Sequence, residues 1–128
     1  MDCPRFSFAY LFCMVEEMAR GGYLGEFELM VILAVLRLDA DAYGVTISRE
    51  IEKNTQREVS IGSVYAALER LEEKGLVTSS LGDPTAERGG RAKRYFRITD
   101  SGLTEVRQTQ RALMRLWKGV PQLEGGRV

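Results

Sequence analysis

The sequence predicts a mainly α-helical fold with a small two-stranded β-hairpin. Three helical segments follow one another between residues 24 and 74, two short extended runs rich in β-branched residues come next, and a long amphipathic segment follows them. With 128 residues, of which 45% are hydrophobic, the chain is long enough for one packed domain and too apolar to be disordered.

The first two predicted helices meet at an acidic break. The first runs from Leu24 to Leu38, and because positions 29–36 are all apolar, we expect it to be buried nearly all round. The segment Asp39-Ala40-Asp41 ends this helix. Asp41 is the expected N-cap of a second helix, which runs from about Ala42 to Asn54.

The third predicted helix has one apolar side and an opposite side that changes from small to cationic residues. Ser60 is its expected N-cap and Gly75 its C-terminal stop. At about 100° per residue, the predicted core side holds Ile61, Val64, Leu68 and Leu71. The opposite side holds Ser63, Ala66, Arg70 and Lys74.

Two extended runs, residues 76–81 and 93–99, predict a hairpin with a connection of roughly ten residues. Most hairpin connections are about two to five residues long, so this length indicates that the loop itself has a function. Without the surrounding elements, the cations of this loop would be interpreted as an ordinary solvated cluster of charges. They are Arg88, Arg91, Lys93 and Arg94.

A long helix is predicted from about Asp100 to Lys118, capped by Thr99. A lone terminal helix must bury its apolar stripe on something, and the economical partner is a second copy of the chain. The stripe consists of Leu103, Val106, Leu113, Met114 and Trp117. A basic ridge of Arg107, Arg111 and Arg115 runs along another face and is more simply a solvated surface than a binding site.

This order of elements is that of a winged helix-turn-helix plus a C-terminal dimerisation helix, in which the third helix enters the major groove of DNA and the hairpin loop is the wing. Residues 57–128 hold thirteen Lys and Arg against nine Asp and Glu, whereas residues 1–56 hold five against nine. A locally basic half suits a polyanion. The predicted DNA-binding residues are Ser60, Gly62, Ser63, Tyr65, Ala66, Arg70, Lys74, Arg88, Arg91, Lys93 and Arg94. The alternative is a winged-helix module that binds protein and not DNA.

Several residues have a structural interpretation beside the functional one. Tyr65 is expected either to pack against the core or to contact a phosphate. Gly62 either allows close approach to DNA or only relieves packing. The pattern favours a structural role for Tyr43 and Gly44. Trp117 is a candidate for stacking a small aromatic effector, and it is also a candidate for a simple interface anchor.

The sequence argues against the common catalytic and metal-binding chemistries. It contains no His, which removes the commonest general base and metal ligand. The two thiols, Cys3 and Cys13, have neither CxxC nor zinc-site spacing, and we expect them to be inert. No nucleophile motif is present. We therefore expect no enzymatic activity, no metal and no cofactor, in a reducing cytoplasm.

The sequence divides into four parts: a leader at 1–22, a winged-helix domain at 23–99, a dimerisation helix at 100–120 and a tail at 121–128. The leader has three interpretations. It is an extension from a start assigned upstream of Met18, a real extra helix, or a weak targeting segment. Its apolar run at 6–15 is too short to span a bilayer.

Six segments carry a more specific pattern: 24–28 (LGEFE), 43–44 (YG), 59–65 (VSIGSVY), 68–77 (LERLEEKGLV), 88–96 (RGGRAKRYF) and 99–102 (TDSG). Together they resemble the PadR-like family of bacterial transcriptional regulators, over about Leu24 to Trp117. The resemblance implies a homodimeric winged-helix repressor that dimerises through its C-terminal helix and binds double-stranded DNA at an inverted repeat. Some relatives leave DNA on binding phenolic acids or planar drugs. A single helix after the wing is typical of the short-tailed branch, and Ala66 stands where many relatives carry Pro.

Overall fold

A computed structural model of the chain describes residues 23–82 and 92–124, and within them the predicted fold class is confirmed. Four α-helices and one two-stranded antiparallel sheet follow in the predicted order. The helices are α1 (Glu26–Leu38), α2 (Gly44–Thr55), α3 (Ile61–Glu73) and α4 (Asp100–Trp117), and the strands are β1 (Val77–Leu81) and β2 (Arg94–Ile98). The leader, most of the wing loop with Arg88 and Arg91, and the last four residues lie outside the described residues.

The first helix is less buried than its sequence suggests. One face packs against α2, α3 and β2, and there Val31, Ile32 and Val35 are buried. On the opposite face Leu33 and Leu36 are 42% and 37% exposed. The prediction of burial nearly all round is therefore wrong for the single chain, because that face has no partner among the described residues.

The N-terminus of α2 also differs from the prediction. Asp41 belongs to a short 3₁₀ turn, Asp39–Asp41, and Tyr43 is the N-cap residue of α2. The Thr46 hydroxyl replaces the expected aspartate cap. It accepts a hydrogen bond from the Tyr43 N–H at 3.0 Å and lies within donating distance of the Asp41 carbonyl, at 2.6 Å. One hydroxyl inside the first turn thus accepts a backbone N–H of the kind that the Asp41 side chain was expected to accept.

Both predicted ends of α3 are confirmed. The Ser63 N–H donates to Ser60 Oγ at 3.0 Å, and Gly75 has a φ of +79°, which favours glycine. The Leu76 N–H donates to the Leu71 carbonyl at 2.9 Å, which completes a Schellman ending. Ile61 is an exception to the predicted core side, since it is 43% exposed while Val64 is fully buried.

The hairpin is anchored on the helical part by its second strand. β1 and β2 pair from Val77 opposite Ile98 to Leu81 opposite Arg94. The other edge of β2 receives the segment before α2: the Phe96 N–H donates to the Ala42 carbonyl at 2.9 Å. The base of the wing is therefore held directly beside the start of α2.

The last helix is fixed to the domain at its beginning and exposed at its end. Thr99 caps it as predicted, accepting from the Gly102 N–H at 3.0 Å. A Cβ at Gly102 would collide with the Leu76 carbonyl, so the helix starts in direct backbone contact with the segment before β1. The Leu24 N–H donates to the buried Thr109 hydroxyl at 3.1 Å, which ties the entry to α1 to the middle of α4.

Candidate nucleic-acid interface

The exposed surface of the first two turns of α3 is formed by Ile61, Gly62, Ser63 and Ala66, which we call the recognition face. A Cβ added at Gly62 would meet only Ser60 Oγ, at 3.9 Å. Packing within the described chain therefore does not require glycine there. Of the two interpretations of Gly62, the relief of packing has no support in the single chain.

Tyr65 borders the recognition face and has a clear packing role. Its half-buried ring lies over Gly44, where an added Cβ would come within 2.6 Å of the ring. The ring centroid is also 6.2 Å from that of Phe96, at an angle of 60°. Tyr65 thus joins α3 to α2 and to β2, and Gly44 leaves the room for it. A phosphate contact by the Tyr65 hydroxyl stays a prediction.

The two cations of the second half of α3 share one carboxylate. Arg70 Nε lies 3.0 Å from Glu28 Oε2, and Lys74 Nζ lies 3.1 Å from Glu28 Oε1. The Glu28 side chain is only 12% exposed, whereas Arg70 is 52% exposed. Burial by itself raises the pKa of Glu28, but the hydrogen bonds and positive charges of Arg70 and Lys74 lower that pKa below its ordinary value.

Arg94 is part of a closed network between α3 and the hairpin. Its Nη2 lies 2.7 Å from Glu72 Oε1, and its Nε donates to Ser79 Oγ at 3.2 Å. The Ser79 hydroxyl in turn donates to Glu72 Oε2 at 2.9 Å. The guanidinium carbon is also 5.1 Å from the centroid of the Phe96 ring. These contacts give Arg94 a structural role in joining the wing to α3.

Lys93 lies at the base of the wing against an aromatic pair. Its ammonium nitrogen is 4.4 Å from the centroid of the Tyr43 ring and within 3.4 Å of the Tyr43 hydroxyl. The Tyr43 and Tyr95 rings meet edge to face at 5.4 Å. Cation–π contact of this kind is typical of a partly exposed lysine. The structure thus places Lys93 beside the N-cap of α2 and explains Tyr43 as a packing residue.

Sequence reasoning missed the acidic residues of this surface. Glu28 is 42 residues from Arg70, and Glu72 is 22 residues from Arg94. Helical spacing reports neighbours three or four residues apart, so no local pattern could indicate pairs this distant. Of the predicted cations that the structure describes, Arg70 and Lys74 are exposed. Lys93 and Arg94 are partly buried.

A separate apolar surface lies at the end of α4. From the predicted stripe, Val106 is buried and Leu103 is partly buried. Beyond residue 112 the exposed fractions are large: 46% for Leu113, 55% for Met114 and 54% for Trp117. Leu116, at 75%, was not in the predicted stripe. None of residues 23–82 and 92–124 covers this terminal part of the helix.

No group of residues suited to hold a metal ion occurs in the described ranges 23–82 and 92–124. Over the same ranges, no helix has both the length and the apolar character needed to cross a membrane.

Comparison with known proteins identifies the family of this chain. The model of the transcriptional regulator PadR-like family matches residues 32–108. The chain belongs to the PadR-like family of transcriptional regulators. An uncharacterized protein of Lysinibacillus sphaericus is 33% identical over 94 residues, which are 72% of this chain and 80% of that protein. A transcriptional regulator of Mycobacterium tuberculosis is 33% identical over 82 residues, 64% of this chain and 72% of that one.

The fold of this PadR-like regulator matches that of solved relatives. The structure of a PadR-like transcriptional regulator from Bacillus cereus superposes with a TM-score of 0.62, at 22% identity. The match covers 90% of this chain and 99% of that one. The family consists of transcriptional regulators and not of enzymes, which confirms the expectation that the protein is not an enzyme.

Proposed function

We propose that this PadR-like regulator is a sequence-specific DNA-binding repressor that binds an inverted-repeat operator as a homodimer. One observation carries the proposal: a recognition face with three small residues and Ile61 is exposed on α3, with cations farther along the helix and at the base of the wing. That combination suits a helix that enters the major groove while its neighbours hold the phosphates.

The recognition face supports close approach to base edges. Gly62, Ser63 and Ala66 are exposed and short, and none of the residues that the structure describes fills the space above Gly62. Ser60 caps the helix by accepting from the Ser63 N–H, and the N-terminus of a helix favours a phosphate. Ser60, Gly62, Ser63 and Ala66 therefore remain our proposed contacts to DNA.

The described cations differ in how they are held. Arg70 and Lys74 are tied to a single carboxylate, and Arg70 is half exposed, so a DNA phosphate can replace Glu28 as their partner. Arg94 is enclosed by Glu72 and Ser79 and supports the wing as its first role. Lys93, and the loop residues Arg88 and Arg91, are proposed phosphate contacts of the wing.

The exposed apolar surfaces of the described residues support a homodimer. The end of α4 exposes Leu113, Met114 and Trp117, and α1 exposes Leu33 and Leu36 on its outer face. Large exposed apolar side chains of this kind are typical of a protein interface. We propose that the helix at residues 100–120 joins the winged-helix domains, residues 23–99, of two subunits. The leader and the tail at 121–128 lie outside this dimer-forming unit. We propose that the dimer acts in the cytoplasm.

Trp117 is also our proposed residue for an effector. Its indole is 54% exposed at the end of α4, and an aromatic surface at a dimer interface can stack on a small planar molecule. Binding there would release the repressor from its operator by changing the relative orientation of the two subunits.

The test is a gel shift of the full chain against fragments of its own promoter region and against random DNA. We expect preferential binding to one promoter fragment, which weakens by orders of magnitude from low to moderate salt because phosphate contacts release counterions. Analytical ultracentrifugation should find a dimer. Equal affinity for promoter and random fragments would refute the proposal and favour the protein-binding module.

A further inference from the structure

We propose that α3 recognises thymine through its 5-methyl group, and that Ile61 and Ala66 make these contacts in each half-site. This inference rests on the proposed function and specifies its base recognition. It assigns a specificity-determining role to Ile61, which the sequence pattern placed in the core.

The composition of the recognition helix restricts how it can identify bases. Residues 61–69 contain no Arg, Lys, Asn or Gln. Guanine is usually recognised by two hydrogen bonds from Arg or Lys, and adenine by two from Asn or Gln. Neither mode is available to the first two and a half turns of α3. What remains at the base edges is apolar contact with the thymine methyl group, hydroxyl contact, and a carboxylate that accepts from cytosine.

Ile61 has the exposure that such a contact needs. The other large apolar side chains of α3, Val64, Leu68 and Leu71, are fully buried, whereas Ile61 is 43% exposed. It occupies the first helical position, and the N-terminal residues of a recognition helix are those that meet base edges. A β-branched side chain held in water at that position gains from burial against a methyl group.

Gly62 and Ala66 complete the apolar surface. At about 100° per residue, Gly62 projects between the directions of Ile61 and Ala66. With open space above its Cα, Gly62 lets the groove approach the backbone, so that Ile61 and Ala66 lie on either side of the bases. The Ser63 hydroxyl is already within 2.9 Å of Ser60 Oγ, which orients it along the helix start.

The long polar side chains of α3 lie elsewhere. Arg70 is the first cation of the helix, and it is directed to Glu28 on α1. Glu69 is also exposed near the recognition face, but its carboxylate can only accept hydrogen bonds, from the amino group of cytosine or of adenine. A half-site with thymines facing Ile61 and Ala66 is therefore the operator that this surface fits best.

The test compares thymine with deoxyuridine, which pairs identically and lacks only the 5-methyl group. The operator is first selected from a random duplex library with the full chain. Each thymine of a half-site is then replaced singly by deoxyuridine, and thymines outside the half-sites are replaced as controls. We expect about a fourfold loss of affinity at one or more half-site positions, the value of one buried methyl-sized group, and no loss at the control positions.

Three variants assign the effect to side chains. Ile61→Ala should abolish the deoxyuridine penalty at its position, and Ile61→Val should reduce it, while Ala66→Gly should abolish it at a different position. Thermal unfolding of each variant verifies that it is folded. Because Ile61 is 43% exposed, its truncation should destabilise the fold less than truncation of a fully buried residue such as Leu68 would.

The outcomes separate the two proposals. If the selection enriches no sequence over random DNA, the proposed function fails. If an operator is bound specifically but tolerates deoxyuridine at every position, the thymine inference is overturned while the proposed function stands. It is equally overturned if the penalty is present but unchanged in both Ile61→Ala and Ala66→Gly.

Discussion

Replacing Glu28 by glutamine tests whether the cations of α3 exchange a carboxylate for DNA phosphates. The substitution keeps the shape of the side chain and removes the charge that Arg70 and Lys74 share. Partly exposed ion pairs each contribute about 0.2–1 kcal/mol, so the loss of both should cost about 1 kcal/mol of folding free energy. For a domain of this size that is a fall in Tm of roughly 4 °C.

DNA affinity should change in the opposite direction. The ion pairs stabilise the free protein and are given up when phosphates replace Glu28, so a variant that lacks them loses less on binding. About 1 kcal/mol per subunit corresponds to about a fivefold gain in affinity per half-site. If the neutral amide of Glu28→Gln leaves the cations freer to contact phosphates, each added contact should steepen the slope of log K against log salt by about 0.9.

The assay is a fluorescence anisotropy titration of operator DNA at several salt concentrations, together with thermal unfolding. Glu50→Gln is the matched control, since Glu50 on α2 also holds an arginine, Arg37, at 2.8 Å but lies away from the recognition face. The control should leave DNA affinity unchanged. Weaker operator binding by Glu28→Gln, with an unchanged salt slope, would refute the exchange and show that Glu28 only positions α3.

Four further outcomes follow from the structure. Gly62→Ala should raise the free energy of unfolding by about 0.4–1 kcal/mol, because the added Cβ would meet no described atom closer than 3.9 Å. The same variant should bind the operator more weakly in a gel shift. Equal affinity would show that DNA does not approach this backbone. Gly44→Ala should lower stability by about 1–3 kcal/mol in denaturant unfolding, since its Cβ would overlap the Tyr65 ring; a neutral result would contradict that packing. Trp117→Ala should weaken the dimer by about 2 kcal/mol or more, about thirtyfold, as measured by ultracentrifugation; an unchanged dimer constant would place the interface elsewhere. Because the pKa of Glu28 is lowered in the folded protein, its contribution to stability is full above the pKa of an unfolded glutamate and is lost as pH falls through the lower folded pKa. Glu28→Gln should therefore lose less stability than the parent protein as the pH is lowered. Parallel curves of stability against pH for the two proteins would contradict the ion pairs.

The parts of the fold that the sequence predicted correctly depend on local chemistry. Ser60, Gly75 and Thr99 each act within one turn of the helix end they terminate, so their roles can be inferred from spacing. Asp41 was a wrong prediction of the same kind, because the competing Thr46 hydroxyl lies in the first turn of α2 and bonds back to both Tyr43 and Asp41.

The parts that the sequence did not predict depend on tertiary neighbours. Leu33 and Leu36 are as apolar as the buried residues beside them, and only the packing of α1 shows that their face is uncovered. The same holds for Glu28, whose partners come from a different helix. The candidate site was therefore predicted as a set of exposed cations and small residues, without the carboxylates that now hold those cations.

The start of α4 has a geometric consequence for the operator. Because Gly102 lies directly against the Leu76 backbone and Thr109 is bonded to the entry of α1, the axis of α4 cannot swing relative to the winged part without breaking these contacts. In a two-fold dimer joined through α4, the distance between the two copies of α3 is then set by the fixed position of α4 on each domain. In the proposed dimer, a single base pair inserted at the centre of the palindrome would rotate one half-site about the duplex axis. We therefore expect such an insertion to weaken binding, because the contacts of α4 described above resist the movement that would be needed to follow it.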